Sequence, residues 1–451
     1  MPTLTPPLPP AERAALGLAA RKQLGRRAHA SIDLHAAHDP VALIRASEKD
    51  RIQSLVKIKH ERMAASCFAF YRGAVPVMAA DLAAQPNTGL ITQLCGDAHI
   101  NNLGAYCAPD GKIVFDINDF DESLRGPFEF DVKRLATSII LGGREAGIKL
   151  PARHKAVSHF LARYRELMHE FAGLPILELA RYQIHRLAHI DPMPAILAQA
   201  ERSTVDKTLK SLTQPATVSK KDASTGAKVR HFKSEPPLLH RITGKEADLI
   251  LASLGPYSRT LQPERRHFLD QYRPMDVGFK VVGTGSVGWR DYVIYFEGTH
   301  ACKSDPLFLQ IKEEPASAYS PYFPEGSLYT HNGHRVMDGQ RAMQLTSDPF
   351  LGYTTIEGRD FLVRQLNDHK ASLDLTTLTA DSLLGYADLC GELFARGHAR
   401  AGDPVAIAAY LGNNARFDDA ILSFAHNYAD QTERYWALFK KSLKPSKSKT
   451  S

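Results

Sequence analysis

The sequence predicts an α+β protein with two lobes, a larger helical lobe and a small lobe built on an antiparallel sheet. Apolar residues at helical spacing fill residues 40–85, 129–145, 151–200, 376–400 and 414–442. Residues 292–296 are instead aromatic and β-branched, which is typical of strands. Residues 201–235 are polar and rich in Ser, Thr and Lys, so we expect a lobe boundary in or soon after this segment.

The composition is that of an ordinary globular protein. The 451 residues suffice for one large two-lobed domain or for two to three smaller domains. The net charge of +7 (56 basic minus 49 acidic residues) lies largely in the two ends of the chain, so we expect solvated basic tails and no dedicated nucleic-acid surface. Five scattered cysteines without Cys-x-x-Cys spacing argue against a disulfide framework and a zinc site.

Two further observations concern location and metal binding by histidine. The N-terminal PTLTPPLPPAER lacks the apolar core of a signal peptide, and no apolar run approaches the roughly 18 residues of a membrane span. We therefore expect a cytoplasmic protein without a membrane span. His185 and His189 lie four apart on one predicted helix, but without a third ligand nearby a surface or core role is favoured over a metal pair.

The strongest functional signal is the stretch 94–134, LCGDAHINNLGAYCAPDGKIVFDINDFDESLRGPFEFDVKR. Two apolar runs each end in acidic residues, which predicts a strand, an acidic loop, a hairpin, a strand and a second acidic loop. Asp97, Asn102 and Asp119 then lie at strand ends, where their oxygens can converge on Mg²⁺ with phosphates attached. Turn closure by Asp and Asn explains any one of these residues but not the whole run.

The order Gly-Asp-x-His-x-x-Asn followed by Asn-Asp-Phe-Asp resembles the catalytic core of the aminoglycoside phosphotransferase and protein-kinase-like superfamily. The resemblance implies that Asp97 orients the attacking hydroxyl and that Asn102 and Asp119 bind Mg²⁺. It also implies that Asp131, followed by Val132, braces the catalytic loop.

His99 and Asp121 are expected to support these residues. Asp116 and Asp121 are acidic as well, so the choice of the main metal carboxylate among Asp116, Asp119 and Asp121 stays open. The longer sequence around these motifs, with FAFYRGA upstream and GPFEFDVKRLA downstream, also resembles an uncharacterised bacterial family named only as a domain of unknown function. That resemblance covers nearly the whole chain but implies no substrate.

A second motif is VGFKVVGTGSVGWRDYVIYFEG, residues 277–298. Gly283, Gly285 and Gly288 give Gly-x-Gly-x-x-Gly, and the residues that follow read as a strand. A loop between two strands resembles the kinase Gly-rich loop over ATP phosphates, whereas a dinucleotide-binding loop leads into a helix. We expect this loop, with Ser286, to bind the nucleotide; an ordinary glycine hairpin is the alternative.

The run PLFLQIK predicts a strand that ends in Lys312. This lysine resembles the kinase lysine that contacts the α- and β-phosphates and pairs with an acid on the next helix. That helix is predicted at residues 331–346 and offers Asp338 or Gln340 as the partner, although the kinase pattern has a glutamate.

A strand within residues 353–368 is expected to end at a hinge, where backbone groups of Gln365, Leu366 and Asn367 would contact adenine. A kinase chain runs glycine loop, lysine, hinge, catalytic loop and metal loop, so the resemblance implies a two-lobed protein-kinase-like fold in circularly permuted order. The expected divisions are a flexible N-terminal tail at 1–38, a helical catalytic lobe at 39–260, a nucleotide-binding lobe at 261–371, helices packing back on the catalytic lobe at 372–442, and a basic tail at 443–451.

These motifs predict a phosphotransferase that uses ATP and Mg²⁺ and acts on a hydroxyl acceptor, more in keeping with a small molecule than with a protein. AMP transfer by the same residues is an alternative. A non-catalytic nucleotide-binding regulator is another, although it needs no catalytic-loop aspartate. A binuclear metallophosphatase is a third, because Asp97-x-His99 matches its first metal motif; its later Gly-Asp-x-x-Asp and Gly-Asn-His-Glu elements are absent.

Overall fold

The fold is mixed α+β, which confirms the predicted class. The computed structural model describes residues 8–32, 39–184, 187–215, 230–299, 305–323, 329–366 and 369–444. The helices are α1 (Pro10–Gln23), α2 (Pro40–Ala46), α3 (Gln53–Ala65), α4 (Cys67–Gly73), α5 (Val75–Ala83), α6 (Glu129–Glu145), α7 (Leu150–Gly173), α8 (Ile176–Ala180), α9 (Met193–Arg202), α10 (Val205–Leu212), α11 (Lys245–Ala252), α12 (Leu254–Ser258), α13 (Pro263–Leu269), α14 (Asn332–Met343), α15 (Ala380–Ala401), α16 (Pro404–Leu411) and α17 (Arg416–Ser442). The strands are β1 (Ile91–Leu94), β2 (Leu103–Cys107), β3 (Ile113–Ile117), β4 (Leu124–Pro127), β5 (Thr213–Pro215), β6 (Arg230–Phe232), β7 (Leu239–Ile242), β8 (Tyr272–Lys280), β9 (Asp291–Gly298), β10 (Pro306–Glu313), β11 (Gly352–Ile356), β12 (Arg359–Gln365) and β13 (Ala371–Ser372). Among the helices in these ranges, none is long and apolar enough to cross a membrane.

The largest sheet has six antiparallel strands in the order β11-β12-β10-β9-β8-β7. Its central strands are rich in β-branched and aromatic residues, which suit a pleated surface that is covered on both faces. One face packs against α11–α13, where Ile250, Tyr257 and Leu269 join the apolar side chains of the sheet. The other face packs against α10 through Leu209 and Leu212.

This sheet begins earlier in the chain than the predicted boundary between residues 260 and 261. β7 starts at Leu239, and α11–α13 belong to the same apolar cluster as the sheet. Residues 201–235, predicted as a polar connection, include α10, β5 and β6, while residues 216–229 lie outside the described ranges. The sequence pattern does not show which unit the apolar faces of α11–α13 cover, and this is why the sheet unit begins before the predicted boundary.

The helical unit is built around α6, which is buried along almost its whole length. α7 and α17 pack directly on α6, and α15 packs on both α6 and α7. The first turn of α15 is fixed by a capping box between Thr379 and Ser382. Helices from both sides of the sheet-forming segment therefore share one core.

The N-terminal segment is not a free tail where it is described. α1 packs against α16, with a paired Arg13–Asp403 contact at 3.0 and 2.7 Å. Gly17 permits this approach, because a Cβ there would lie 2.0 Å from the carbonyl oxygen of Ala406. The expectation of a flexible tail at 1–38 is therefore wrong for residues 8–32, since proline and charge at the start of a chain do not exclude a packed helix.

Two small antiparallel pairings position the acidic loops. β1 pairs with β4, while β2 pairs with both β3 and β13. The loop after β1 crosses close to the loop before β4 at Gly96, where a Cβ would lie 2.1 Å from the carbonyl oxygen of Glu122. Gly96 also has a φ of +82°, which only glycine adopts without strain. The two acidic loops can meet only because this residue has no side chain.

We expect Gly96→Ala to lower the free energy of unfolding by about 3 kcal/mol or more, because the methyl group forces the two acidic loops apart. Gly111→Ala is the matched control, since Gly111 has a φ of +80° but open space around the added methyl. The control should cost only about 1 kcal/mol, from backbone strain. Urea unfolding of both variants checks this, and equal losses would contradict the close approach at Gly96.

Candidate active site

Lys312 joins the sheet to the acidic loops. It lies at the end of β10, its side chain is 3% exposed, and its ammonium forms an ion pair with Asp121. Asp119 Oδ1 lies 4.0 Å from the same Nζ atom. The structure therefore brings Lys312 together with the carboxylates of a loop nearly two hundred residues earlier in the chain.

Asp338 and Gln340 were the predicted partners of Lys312 on the following helix, but neither pairs with it. Asp338 accepts a hydrogen bond from Tyr329 at 3.2 Å and faces His334 at 3.3 Å. Gln340 donates to Gln344 at 3.0 Å. The carboxylate that compensates Lys312 comes from the acidic loop, and a partner this distant in sequence leaves no local spacing to detect.

Asp119 and Asp121 form an unequal pair around the lysine. Burial and then the Asp121 carboxylate raise the pKa of Asp119, while Lys312 opposes this rise. Burial also raises the pKa of Asp121, but Lys312 outweighs it and holds the pKa below its usual range. Oδ1 of each carboxyl group has no hydrogen-bond partner. Both residues line one cleft, and carboxylate oxygens without a protein partner are suitable ligands for a hard divalent cation.

Asp97, the expected catalytic residue, is held by Arg134. Nε and Nη2 of Arg134 donate to Asp97 Oδ1 at 2.8 and 2.6 Å, and the guanidinium stacks 4.3 Å over the ring of Tyr71. Burial raises the pKa of Asp97, and the charge of Arg134 opposes this rise. Asp97 Oδ2 lies 3.6 Å from His99 Nε2. Burial, followed by the charges of Arg72 and Arg134, lowers the pKa of His99 well below its usual value, so His99 is neutral.

Asn102 and Asp131 brace the acidic loops. The Asn102 amide donates to the carbonyl oxygens of Asp97 and Asp119 at 2.9 and 3.0 Å, which leaves its Oδ1 as the group that could reach a cation. Asp131 accepts from the backbone N–H groups of Cys95 and Gly96 at 2.8 and 3.0 Å and lies 3.3 Å from His398. These contacts hold both acidic loops in place.

The Gly-x-Gly-x-x-Gly segment is a loop between the antiparallel strands β8 and β9, and no helix begins at Gly288. Gly283 and Gly288 have positive φ angles of +55° and +95°. Ser286 Oγ donates to Asp121 Oδ2 at 3.2 Å, so the loop closes onto the same carboxylate that binds Lys312. A Cβ at Gly285 would lie 3.6 Å from the carbonyl oxygen of Arg72, which places the loop tip across the cleft.

Arg51, which also lines the cleft, holds this loop in place, and no motif in the sequence indicated it. Its guanidinium donates to the carbonyl oxygens of Gly285 and Val287 at 2.8 and 2.5 Å and lies 4.7 Å over the ring of Trp289. The neighbouring Ile52 N–H donates to the Gly288 carbonyl at 2.8 Å. The segment between α2 and α3 therefore fixes a loop more than two hundred residues later in the chain.

The acidic loops and the glycine loop enclose a cleft of about 320 Å³, into which Asp97, Asp119 and Asp121 face. A second cavity lies beyond Lys312. Its lining includes Ala105, Cys107, Asn118, Gln310, Arg364, Gln365, Leu366 and Lys370. Gln310 shares a face of β10 with Lys312, and Asn118 adjoins Asp119, so the second cavity lies close to the first.

The hinge prediction needs a correction at this second cavity. The N–H of Gln365 donates to the Asp348 carboxylate, and the N–H of Leu366 donates to the Phe308 carbonyl at 2.8 Å. Both donors are already bonded within the protein, so of the predicted backbone contacts with adenine only those through carbonyl oxygens stay a prediction; Gln365 and Leu366 line the second cavity. β12 pairs with β10 as far as Gln365, and strand propensity alone does not predict where this pairing ends. Asn367 lies outside the described ranges.

Two further buried carboxyl groups near Lys312 were not identified from the sequence. Asp291 faces Lys312 across the β9–β10 ladder; its Oδ2 accepts from Gln310 at 2.7 Å and its Oδ1 has no partner. Burial raises the pKa of Asp291 to about 6. Glu314 has two unpartnered oxygens, and burial raises its pKa well above the usual value.

Other metal ligation is not evident. Within the described ranges, no three His, Cys, Asp or Glu side chains are grouped in a way that could hold a metal ion. His189 is exposed, and His185 lies outside those ranges. Cation binding here would rest on Asp119 and Asp121 together with oxygens that a ligand supplies.

A protein-family model described as "Uncharacterized protein conserved in bacteria (DUF2252)" matches residues 51–442. The match spans both acidic loops, the glycine loop and Lys312. No curated protein and no solved structure matches the chain.

We expect Asp291→Asn to stabilise the protein increasingly as pH rises from 4 to 7. The raised pKa of Asp291 means that the folded state favours the protonated form, so the wild type loses stability as pH rises from about 4 to about 6, above which the loss levels off. The variant lacks this loss, and its advantage should approach about 3 kcal/mol at pH 7. Urea unfolding at four pH values measures the difference, and a gap that does not change with pH would contradict the shifted pKa.

Proposed function

The chain belongs to the bacterial DUF2252 family, and we propose that it is a phosphotransferase that uses ATP and Mg²⁺, with the loops of a kinase-like site in circularly permuted order. One observation carries the proposal. Lys312 and Ser286, from the sheet and its glycine loop, both contact Asp121 beside Asp119 in the acidic loop. A cation, an acidic pair and a glycine loop at one point are the parts that phosphoryl transfer needs.

The donor set fits a magnesium nucleotide. Mg²⁺ bound with phosphates takes only one or two protein carboxylates, and Asp119 and Asp121 each have an unpartnered oxygen for this purpose. The Oδ1 of Asn102 is the third candidate. When bound, Mg²⁺ supplies neutralisation of the phosphate charge. Lys312 would exchange Asp121 for the α- and β-phosphates, and Arg364, which lines the second cavity, would provide a further positive charge.

Asp97 would act on the acceptor. Arg134 occupies Oδ1, so Oδ2 is the atom left to accept a hydrogen bond from the hydroxyl and to take its proton during transfer. The ion pair also prevents rotation of the carboxyl group, which keeps the acceptor oxygen oriented. Transfer of AMP would use the same residues with ATP reversed, and the phosphorylated or adenylylated product distinguishes the two reactions.

We expect ATP with Mg²⁺ to stabilise the protein by about 2.7 kcal/mol at a hundred times the dissociation constant. Asp119→Asn should remove most of the Mg²⁺-dependent part, because the variant loses a charged ligand oxygen. Asp110→Asn, in the exposed turn of the same hairpin, is the control and should behave as the wild type. Thermal unfolding with ATP, ADP and EDTA measures this. No stabilisation by ATP or ADP over a millimolar range would refute nucleotide binding.

We expect Asp97→Asn to reduce ATP turnover at least about a hundredfold while nucleotide affinity changes little, because Asp97 contacts the acceptor and not the phosphates. Turnover by purified protein and calorimetric titration with ATP and Mg²⁺ separate the two effects. The variant leaves Arg134 without a charged partner, so its unfolding free energy must be measured alongside. A folded variant that loses nucleotide affinity as strongly as Asp119→Asn does would show that the roles are misassigned.

A further inference from the structure

The cleft contains a second positively charged group that the proposed reaction has not used. Arg72, near the end of α4, lines the cleft together with Asp97 and His99. Its Nε atom is buried and has no hydrogen-bond partner. Across the described ranges, no residue forms a hydrogen bond or an ion pair with its guanidinium. An unsatisfied buried donor is unfavourable, so this guanidinium is suited to a ligand rather than to the protein.

The other guanidinium groups around the cleft are engaged. Arg134 pairs with Asp97, and Arg51 donates to carbonyls of the glycine loop. Arg335 donates to the carbonyl oxygens of Asp121, Ser123 and Pro315. Arg364 donates to Gln310 at 2.8 Å. Arg72 therefore differs from its neighbours in having its donors still available.

Arg72 lies on the acceptor side of the cleft. Its charge acts on the pKa values of Asp97 and His99, whereas Lys312 and Arg364 are the cations that act on Asp119 and Asp121. Its backbone carbonyl lies near the tip of the glycine loop. The lining of the cleft also includes small side chains, among them Ala46, Ser47 and Ala316.

We propose that Arg72 binds a carboxylate or phosphate group on the acceptor, so that the substrate class is a small hydroxyl compound carrying a negative charge. The inference rests on the proposed function for the identity of the reacting group, but not for the binding of the anion. A guanidinium presents parallel N–H donors that match the two oxygens of either anion. The anion at Arg72 would place a neighbouring hydroxyl of the same molecule against Asp97 Oδ2.

Glycerol, glycerate and glycerol 3-phosphate form a matched series for the test, because they share hydroxyl groups and differ in charge. Trp289 lines the cleft and reports their binding by fluorescence, and Trp436→Phe removes the only other tryptophan. In this background we expect glycerate and glycerol 3-phosphate to bind at least about tenfold more tightly than glycerol. Comparison of the two anions shows which group the site prefers.

Arg72→Gln should abolish that preference and leave the affinity for ATP with Mg²⁺ within about twofold of wild type. Arg72→Lys keeps the charge but not the paired donors, and it should retain only part of the preference. If neither variant folds, the binding of glycerol, glycerate and glycerol 3-phosphate to the protein that retains Arg72 still tests whether the cleft prefers anions. Anions that bind no better than glycerol, or an Arg72→Gln variant that weakens ATP instead, would overturn the inference. Absence of ATP binding together with an Arg72-dependent preference for anions would refute the proposed function alone.

Discussion

The structure of the cleft depends on the need to compensate one buried ammonium group. Lys312 is almost fully buried, and a buried charge is tolerated only when it is paired. Asp121 provides that pairing from a loop of the helical unit, so the ion pair joins the sheet to the acidic loops. The same pair sets the electrostatics of the site: it lowers the pKa of Asp121, whereas burial and the Asp121 carboxylate leave the pKa of Asp119 raised.

Most of the remaining contacts keep this arrangement in place without a ligand. Asn102 connects the two acidic loops, Arg134 fixes the Asp97 carboxylate, and Arg51 binds two carbonyl oxygens of the glycine loop. In the proposed reaction, such preorganisation would reduce the reorganisation needed as charge develops. Lys312 and Ser286 both contact the Asp121 carboxylate. In the proposed reaction, a cation bound to Asp121 would leave both groups available to phosphates.

Local patterns in the sequence predicted the α+β class, the acidic loops at strand ends and the glycine loop between two strands. Those features follow from period and turn chemistry within about twenty residues. The pairings across the molecule could not be predicted, because Lys312 with Asp121 and Arg51 with the glycine loop have no local spacing. For the same reason, the sheet unit was predicted to start at residue 261, whereas its first strand starts at Leu239. The absence of local spacing also concealed Arg134, which follows Asp131 on α6 and resembles any charged helical residue.

A crystal structure with a non-hydrolysable ATP analogue and Mn²⁺ is the most direct test of a single nucleotide site shared by the two units. Mn²⁺ replaces Mg²⁺ at oxygen ligands and is located by its anomalous scattering. We expect the metal peak between Asp119 and Asp121, the phosphates against Lys312 and the glycine loop, and the base in the cavity beside Arg364. A nucleotide bound elsewhere, with Lys312 still paired to Asp121 and no metal at Asp119, would contradict the shared nucleotide site.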